Sequence, residues 1–148
     1  MRKNVRLNNV LFPFWMLMLF PVMWIIVLPG NFLIDSIVLL ISMKILKISE
    51  KKKVYKRSIL KIFFIGIVSD IVGSAYMLAL ILMEIGSMGD EIYITLPAVF
   101  ISAILIFVLN YYVTFKKFEK KTRLWMALIF ALVTAPYTFM VPSSLLYR

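Results

Sequence analysis

Residues 92–115 run without a single charged side chain. At 1.5 Å per residue a helix of that length crosses the roughly 30 Å hydrocarbon layer of a bilayer. Further apolar runs occupy residues 10–28, 32–48, 59–83 and 124–141. They bring hydrophobic residues to 63% of the chain and mean hydropathy to +0.97, against about 45–50% apolar residues in an ordinary soluble domain. A soluble fold needs a polar shell that this composition does not supply. The expected fold is an all-α, polytopic integral membrane bundle. A single transmembrane domain over residues 1–148 would hold five helices, at about 10–28, 31–48, 59–84, 92–115 and 124–141.

Cysteine and histidine are both absent. That removes disulfides, thiolate metal sites and cysteine nucleophiles, together with the usual general base and the commonest metal ligand. The expectation is of no catalytic residue, no metal and no cofactor. The formal charge of +10 comes from basic residues that flank apolar runs, as membrane orientation requires. Nucleic acid is not expected as a partner, since neither aromatic interleaving nor a folded platform accompanies the charge. Abundant lysine and isoleucine with little alanine suggests an AT-rich bacterial genome. Arg2, Lys3 and Arg6 before an apolar run imitate a signal peptide. The run exceeds a typical h-region and no small-x-small site follows, so it reads as a retained anchor.

The first two runs are divided by Pro29-Gly30-Asn31, a turn sequence ending in a good N-cap residue, and read as a tight helical hairpin. With five spans and a cytoplasmic N-terminus, sixteen of the seventeen basic residues face inward: Arg2, Lys3 and Arg6, eight between Lys44 and Lys61, and five between Lys116 and Arg123. Only Arg148 then lies outside, with the C-terminus, while Glu84, Asp90 and Glu91 form an external loop without a basic residue. A single bent span over residues 10–48 would leave four helices, an external N-terminus and a poorer count of thirteen against four. A re-entrant hairpin fits the charges as well as five spans do. Pro13 and Pro21 weaken the first arm and Lys44 and Lys47 shorten the second, but run length favours five. Location in the cell membrane follows, and the basic cytoplasmic loops would attract anionic lipid headgroups.

Asp70 does not belong in lipid. An acid at the bilayer centre costs about 2.5–3.5 kcal/mol on insertion scales, so it should face protein or water. Gly66, Asp70 and Gly73 share one helix face, and Ser69 with Gly73 forms a small-residue pair beside it that invites another helix. Counted from the flanking lysines, Asn110 lies within about one turn of Asp70 in depth and is the first candidate partner; Lys44, bent inward, is the second. A protonated Asp70 bonded to Asn110 would hold the bundle together, whereas a carboxylate in a pathway would bind protons or cations. Asp35 follows the Pro-Gly-Asn turn, where the helix dipole favours an anion. Its reckoned depth differs from that of Asp70, although both could line one outward-facing cavity. Pro136, within Thr134-Ala135-Pro136-Tyr137-Thr138, interrupts the last helix, where nearby hydroxyls could satisfy the freed carbonyl.

The segments Val5-Arg6-Leu7-Asn8-Asn9-Val10-Leu11-Phe12-Pro13, Asn31-Phe32-Leu33-Ile34-Asp35 and Thr134-Ala135-Pro136-Tyr137, with Pro142, resemble small uncharacterised multi-pass membrane proteins of Gram-positive bacteria. That resemblance implies no activity. From the residues themselves, the first functional expectation is a non-enzymatic accessory or oligomerising component that meets a membrane partner or further copies of itself. The second is a small transporter or channel using Asp70. The third is an intramembrane enzyme, which lacks a nucleophile–base pair.

Overall fold

The computed structural model describes residues 21–83 and 92–141. They form α1 (Pro21–Ile45), α2 (Lys51–Leu82), α3 (Ile92–Leu109) and α4 (Lys120–Val133). A π-helical turn, Asn110–Thr114, prolongs α3, and a 3₁₀ turn, Tyr137–Met140, follows α4 after a break. No strand occurs among the described residues. Four stretches are long and apolar enough to cross a membrane: Trp24–Ile45, Lys51–Leu82, Ile92–Thr114 and Lys120–Met140.

The expected hairpin is not there. α1 passes through Pro29-Gly30-Asn31 without turning, so neither two spans nor a re-entrant dip starts from that sequence, and the described spans number four rather than five. A helical proline forfeits one hydrogen bond and strains one turn. Reversing the chain among apolar groups would strand several backbone donors and acceptors at several kcal/mol each. The turn would also need water at Asn31, which instead lies against Asp70, about 18 Å short of the end of α2. Residues 10–20 of the expected first arm, the N-terminal basic residues, the acidic loop at residues 84–91 and Pro142 lie outside the described residues.

A second correction concerns the start of α2, at Lys51 rather than about residue 59. The basic stretch read as a loop is its first turns, since lysine and arginine are good helix formers. Only residues 46–50 connect α1 to α2. α1 ends in a left-handed cap at Lys47, whose φ is 52°. The Ile48 N–H reaches the Met43 carbonyl at 3.0 Å and the Lys47 N–H reaches Lys44 at 3.3 Å, the paired bonds of a Schellman motif.

Two apolar clusters hold the helices. At the basic end all four meet: Leu39 and Met43 from α1, Ile62 from α2, Ile106 from α3, and Met126 and Phe130 from α4. The opposite cluster contains Met77, Ile94, Ala98, Val99, Ala135 and Phe139, with no residue from α1. The first turns of α1 are accordingly open, with Val22, Ile25 and Ile26 all more than 70% exposed. Ser69 and Gly73 receive α3: the Ser102 hydroxyl donates to the Ser69 carbonyl at 2.9 Å. A methyl group on Gly73 would collide with that hydroxyl and stand 2.7 Å from Phe139. At the turn into α4, Arg123 lies 3.8 Å from the centre of the Tyr111 ring and donates to the Tyr111 carbonyl at 2.5 Å, locking the two helices together.

Two substitutions test this packing by thermal unfolding in detergent. Lys47→Gly, which relieves a left-handed lysine, is expected to stabilise by about 1 kcal/mol. Gly73→Ala, which overpacks the α2–α3 contact, is expected to destabilise by about 1–3 kcal/mol.

Candidate functional site

Between the two apolar clusters lies a cavity of about 240 Å³ into which several polar groups point from a largely apolar wall. Asn31 and Asp35 reach it from α1, Gly66 and Asp70 from α2, and residues 133–138 wall it opposite. Both carboxyl groups are buried, at 5% exposure for Asp35 and 6% for Asp70. The Asn31 amide donates to Asp70 Oδ2 at 3.4 Å, and a methyl group on Gly66 would sit 3.8 Å from Asp35 Oδ2. Asn31 is thus level with Asp70, and Asp35 with Gly66, on antiparallel helices. The two acids stand about one turn, or 6 Å, apart in depth.

Among the described residues Asp70 Oδ1 has no hydrogen-bond partner, and neither does the hydroxyl of Ser74, one turn further along α2. Both residues border a small side lobe of about 20 Å³. That is room for one water-sized guest. Trp24, Val27, Leu28, Ile67 and Ile71 make its other walls. The lobe therefore presents a carboxylate oxygen, a hydroxyl and the Asn31 amide within an otherwise apolar surround.

The far wall is unwound backbone. α4 stops at Val133 because Pro136 has no N–H to offer the Leu132 carbonyl. The Tyr137 hydroxyl donates to that carbonyl instead. The Tyr137 N–H, which a continuing helix would direct to Val133, turns to Ala135 at 2.7 Å. Thr134 returns its hydroxyl to Phe130 at 2.8 Å. The break bends the chain so that Phe139 is buried against Gly73, while Thr134 and Thr138 edge the cavity. Irregular backbone at membrane depth is tolerated where it lines such a space.

The other residues singled out in the sequence fall elsewhere. Asn110 is not the partner of Asp70. The Ser102–Ser69 bond sets the α2–α3 register, and Asn110 lies eight residues beyond Ser102, about 12 Å toward the basic end. Its buried amide has no partner among the described residues. Counting depth from Lys61 misled, because Lys61 is already well inside α2. Lys44 is exposed in the last turn of α1, about 20 Å along that helix from Asn31. Asp35 is a mid-helix residue, not a capping one, since α1 begins at Pro21. Of the small-residue set, Ser69 and Gly73 face α3 whereas Gly66 faces Asp35. Asn31 and Ser74 were not anticipated as site residues. Ser74 carried a usable signal, being four residues from Asp70 and so on the same face.

Water access to the cavity can be probed in a chain free of native cysteine. A hydrophilic thiol reagent is expected to modify Thr134→Cys and Thr138→Cys and to leave Ser69→Cys, sealed against α3, untouched. The reverse pattern would put the aqueous side of α2 on the wrong face. Comparison with protein-family models, curated proteins and solved structures finds no match for this chain, which leaves the geometry of the cavity to speak for its chemistry.

Proposed function

We propose that this chain is a four-span membrane protein that binds a proton or a small cation at Asp35 and Asp70, as the coupling site of a compact transporter or channel. The single observation that carries the reading is the two buried carboxyl groups facing one cavity, one of them with an unbonded oxygen. Acids at membrane depth are expensive and face partners or pathways. Asp70 has only a long hydrogen bond to a neutral amide, so positive charge is the missing complement. The unwound segment at residues 134–136 adds backbone carbonyls to the wall, the kind of group that coordinates ions in broken transporter helices.

Orientation follows from charge. The α1–α2 and α3–α4 connections lie at the same end of the bundle and carry the basic residues, so this end is assigned to the cytoplasm. Because α1 crosses once, its Pro21 end lies on the opposite face, together with Met140. The side on which the chain starts lies outside the described residues. The cavity opens between α1 and the α4 break, in the outer half.

An accessory or oligomerising role loses its main support, because the Ser69–Gly73 face is filled by the chain's own α3. An enzymatic role fares no better. Among the described residues the cavity pairs no nucleophile with a base, and Asp70 accepts its hydrogen bond from Asn31 rather than sharing one with Asp35.

Reconstituted vesicles carrying proton, sodium or potassium gradients test the proposal. Flux is expected from the native chain and should fall about tenfold or more in Asp70→Asn, the loss that one charged interaction brings. Vesicles without flux, or flux indifferent to both Asp70→Asn and Asp35→Asn, would sink it.

A further inference from the structure

We propose that the basic end of the bundle holds a second site, selective for a phosphate-bearing anion, between the start of α2 and the π-helical end of α3. A cavity of about 190 Å³ opens there, at the opposite end of the molecule from the mouth of the acidic cavity. Lys53, Arg57 and Lys117 line it, with Glu50 as the one acid. Glu50 is taken up by Lys53 at 3.0 Å, and the wall keeps a net charge of +2. Charge alone would describe any cytoplasmic loop. The distinguishing feature is Thr114, which lines the same cavity, is only 4% exposed, and has a hydroxyl without a hydrogen-bond partner among the described residues.

The backbone around that hydroxyl departs from a regular helix. A helical serine or threonine ordinarily returns its hydroxyl to the carbonyl four residues back. Ser42, Ser69 and Thr134 all do so here, at 2.7, 2.8 and 2.8 Å. For Thr114 that carbonyl belongs to Asn110 and accepts the Phe115 N–H at 2.9 Å across the π-helical turn, while the Thr114 hydroxyl does not bond to it. A buried hydroxyl donor is thus left at a π-helical turn beside three cations. Turns of this kind recur at functional sites.

The donor set defines the ligand. A guanidinium fork, two ammonium groups and a hydroxyl offer more donors than a halide or a single carboxylate can accept, and they match the several oxygens of a phosphate group. Val54 and Phe118 complete the walls and suit the carbon that a phosphate ester carries. Such a group reaches this depth either as the headgroup of an anionic lipid or as a soluble phosphate. The site stands independently of whether the acidic cavity conducts ions.

The test uses the full chain in mild detergent, with phosphatidylglycerol binding followed by native mass spectrometry and inorganic phosphate binding by calorimetry. The double variant Arg57→Gln/Lys117→Gln is expected to bind phosphatidylglycerol about tenfold more weakly. Lys52→Gln/Lys120→Gln removes the same charge from exposed positions of the same end and should bind as the native chain does. Thr114→Val should weaken binding severalfold, with Thr114→Ser restoring it. That hydroxyl dependence is something a diffuse basic surface would not show. Retention of lipid in the presence of millimolar phosphate identifies the ligand as a headgroup, whereas tight phosphate binding that displaces lipid identifies a soluble phosphate; either result supports the site. Equal losses in the two double variants, or native-like binding by Thr114→Val, overturn it. All four altered chains are to be compared at matched thermal stability, and Arg57, Lys117, Lys52 and Lys120 are exposed, so their replacement leaves the packed core intact.

Discussion

Asp70 meets Asn31 at 3.4 Å, and that contact depends on α1 running unbroken past Pro29. Were the chain to reverse at Pro29-Gly30-Asn31, Asn31 would sit at the water surface and Asp35 would start a helix. A continuous α1 sends both into the interior, four residues apart and on one face. α2 answers with Gly66 and Asp70 at the same spacing. The absence of a side chain at Gly66 lets the Asp35 carboxyl approach. Four residues on two antiparallel helices thereby form the polar half of the cavity.

Its other half exists because the bundle is packed unequally. At the basic end all four helices share one apolar cluster, which fixes the lower half of α1. At the other end α2, α3 and the segment after α4 pack without it. Phe139 reaches the α2–α3 seam only because α4 breaks at Pro136, and the same break draws residues 134–138 aside. Proline therefore acts oppositely in two places. Pro29 is absorbed by a helix with no better alternative in apolar surroundings. Pro136 ends one where the Tyr137 hydroxyl can occupy the Leu132 carbonyl it exposes.

The residues disclosed the helical class, the length of α3 and the proline break, because each follows from apolar run length or from a missing donor. They disclosed Asp70 as anomalous, since one acid in an apolar run is visible without any partner. They misdirected wherever a rule for water was applied at membrane depth. Pro-Gly-Asn is a turn in an aqueous loop, and Asn31 is a good cap there; both readings lapse when the backbone has no solvent to fall back on. Lysines 51–53 looked like a loop because they are charged, although charge only fixes where a helix leaves the bilayer. That error shifted every depth counted from Lys61 and produced the pairing of Asp70 with Asn110. Register between helices was set instead by Ser102 on Ser69 and by the space at Gly73, contacts that no single-helix pattern contains.

A purely structural role for the two acids is hard to sustain on energetic grounds. Each acid costs about 2.5–3.5 kcal/mol at the centre of a membrane helix, and a typical hydrogen bond contributes only about 0.5–1.5 kcal/mol net. Asp70 receives one such bond, at the long end of the range, from a neutral donor. Apolar residues of similar size would serve cohesion better, as they do at Met77 and Ile62, both almost fully buried in the same helix. The acids stand instead beside a cavity and an unwound segment of chain. On the proposed reading, a proton or cation entering the cavity would offset that cost, so that occupancy and stability would be linked.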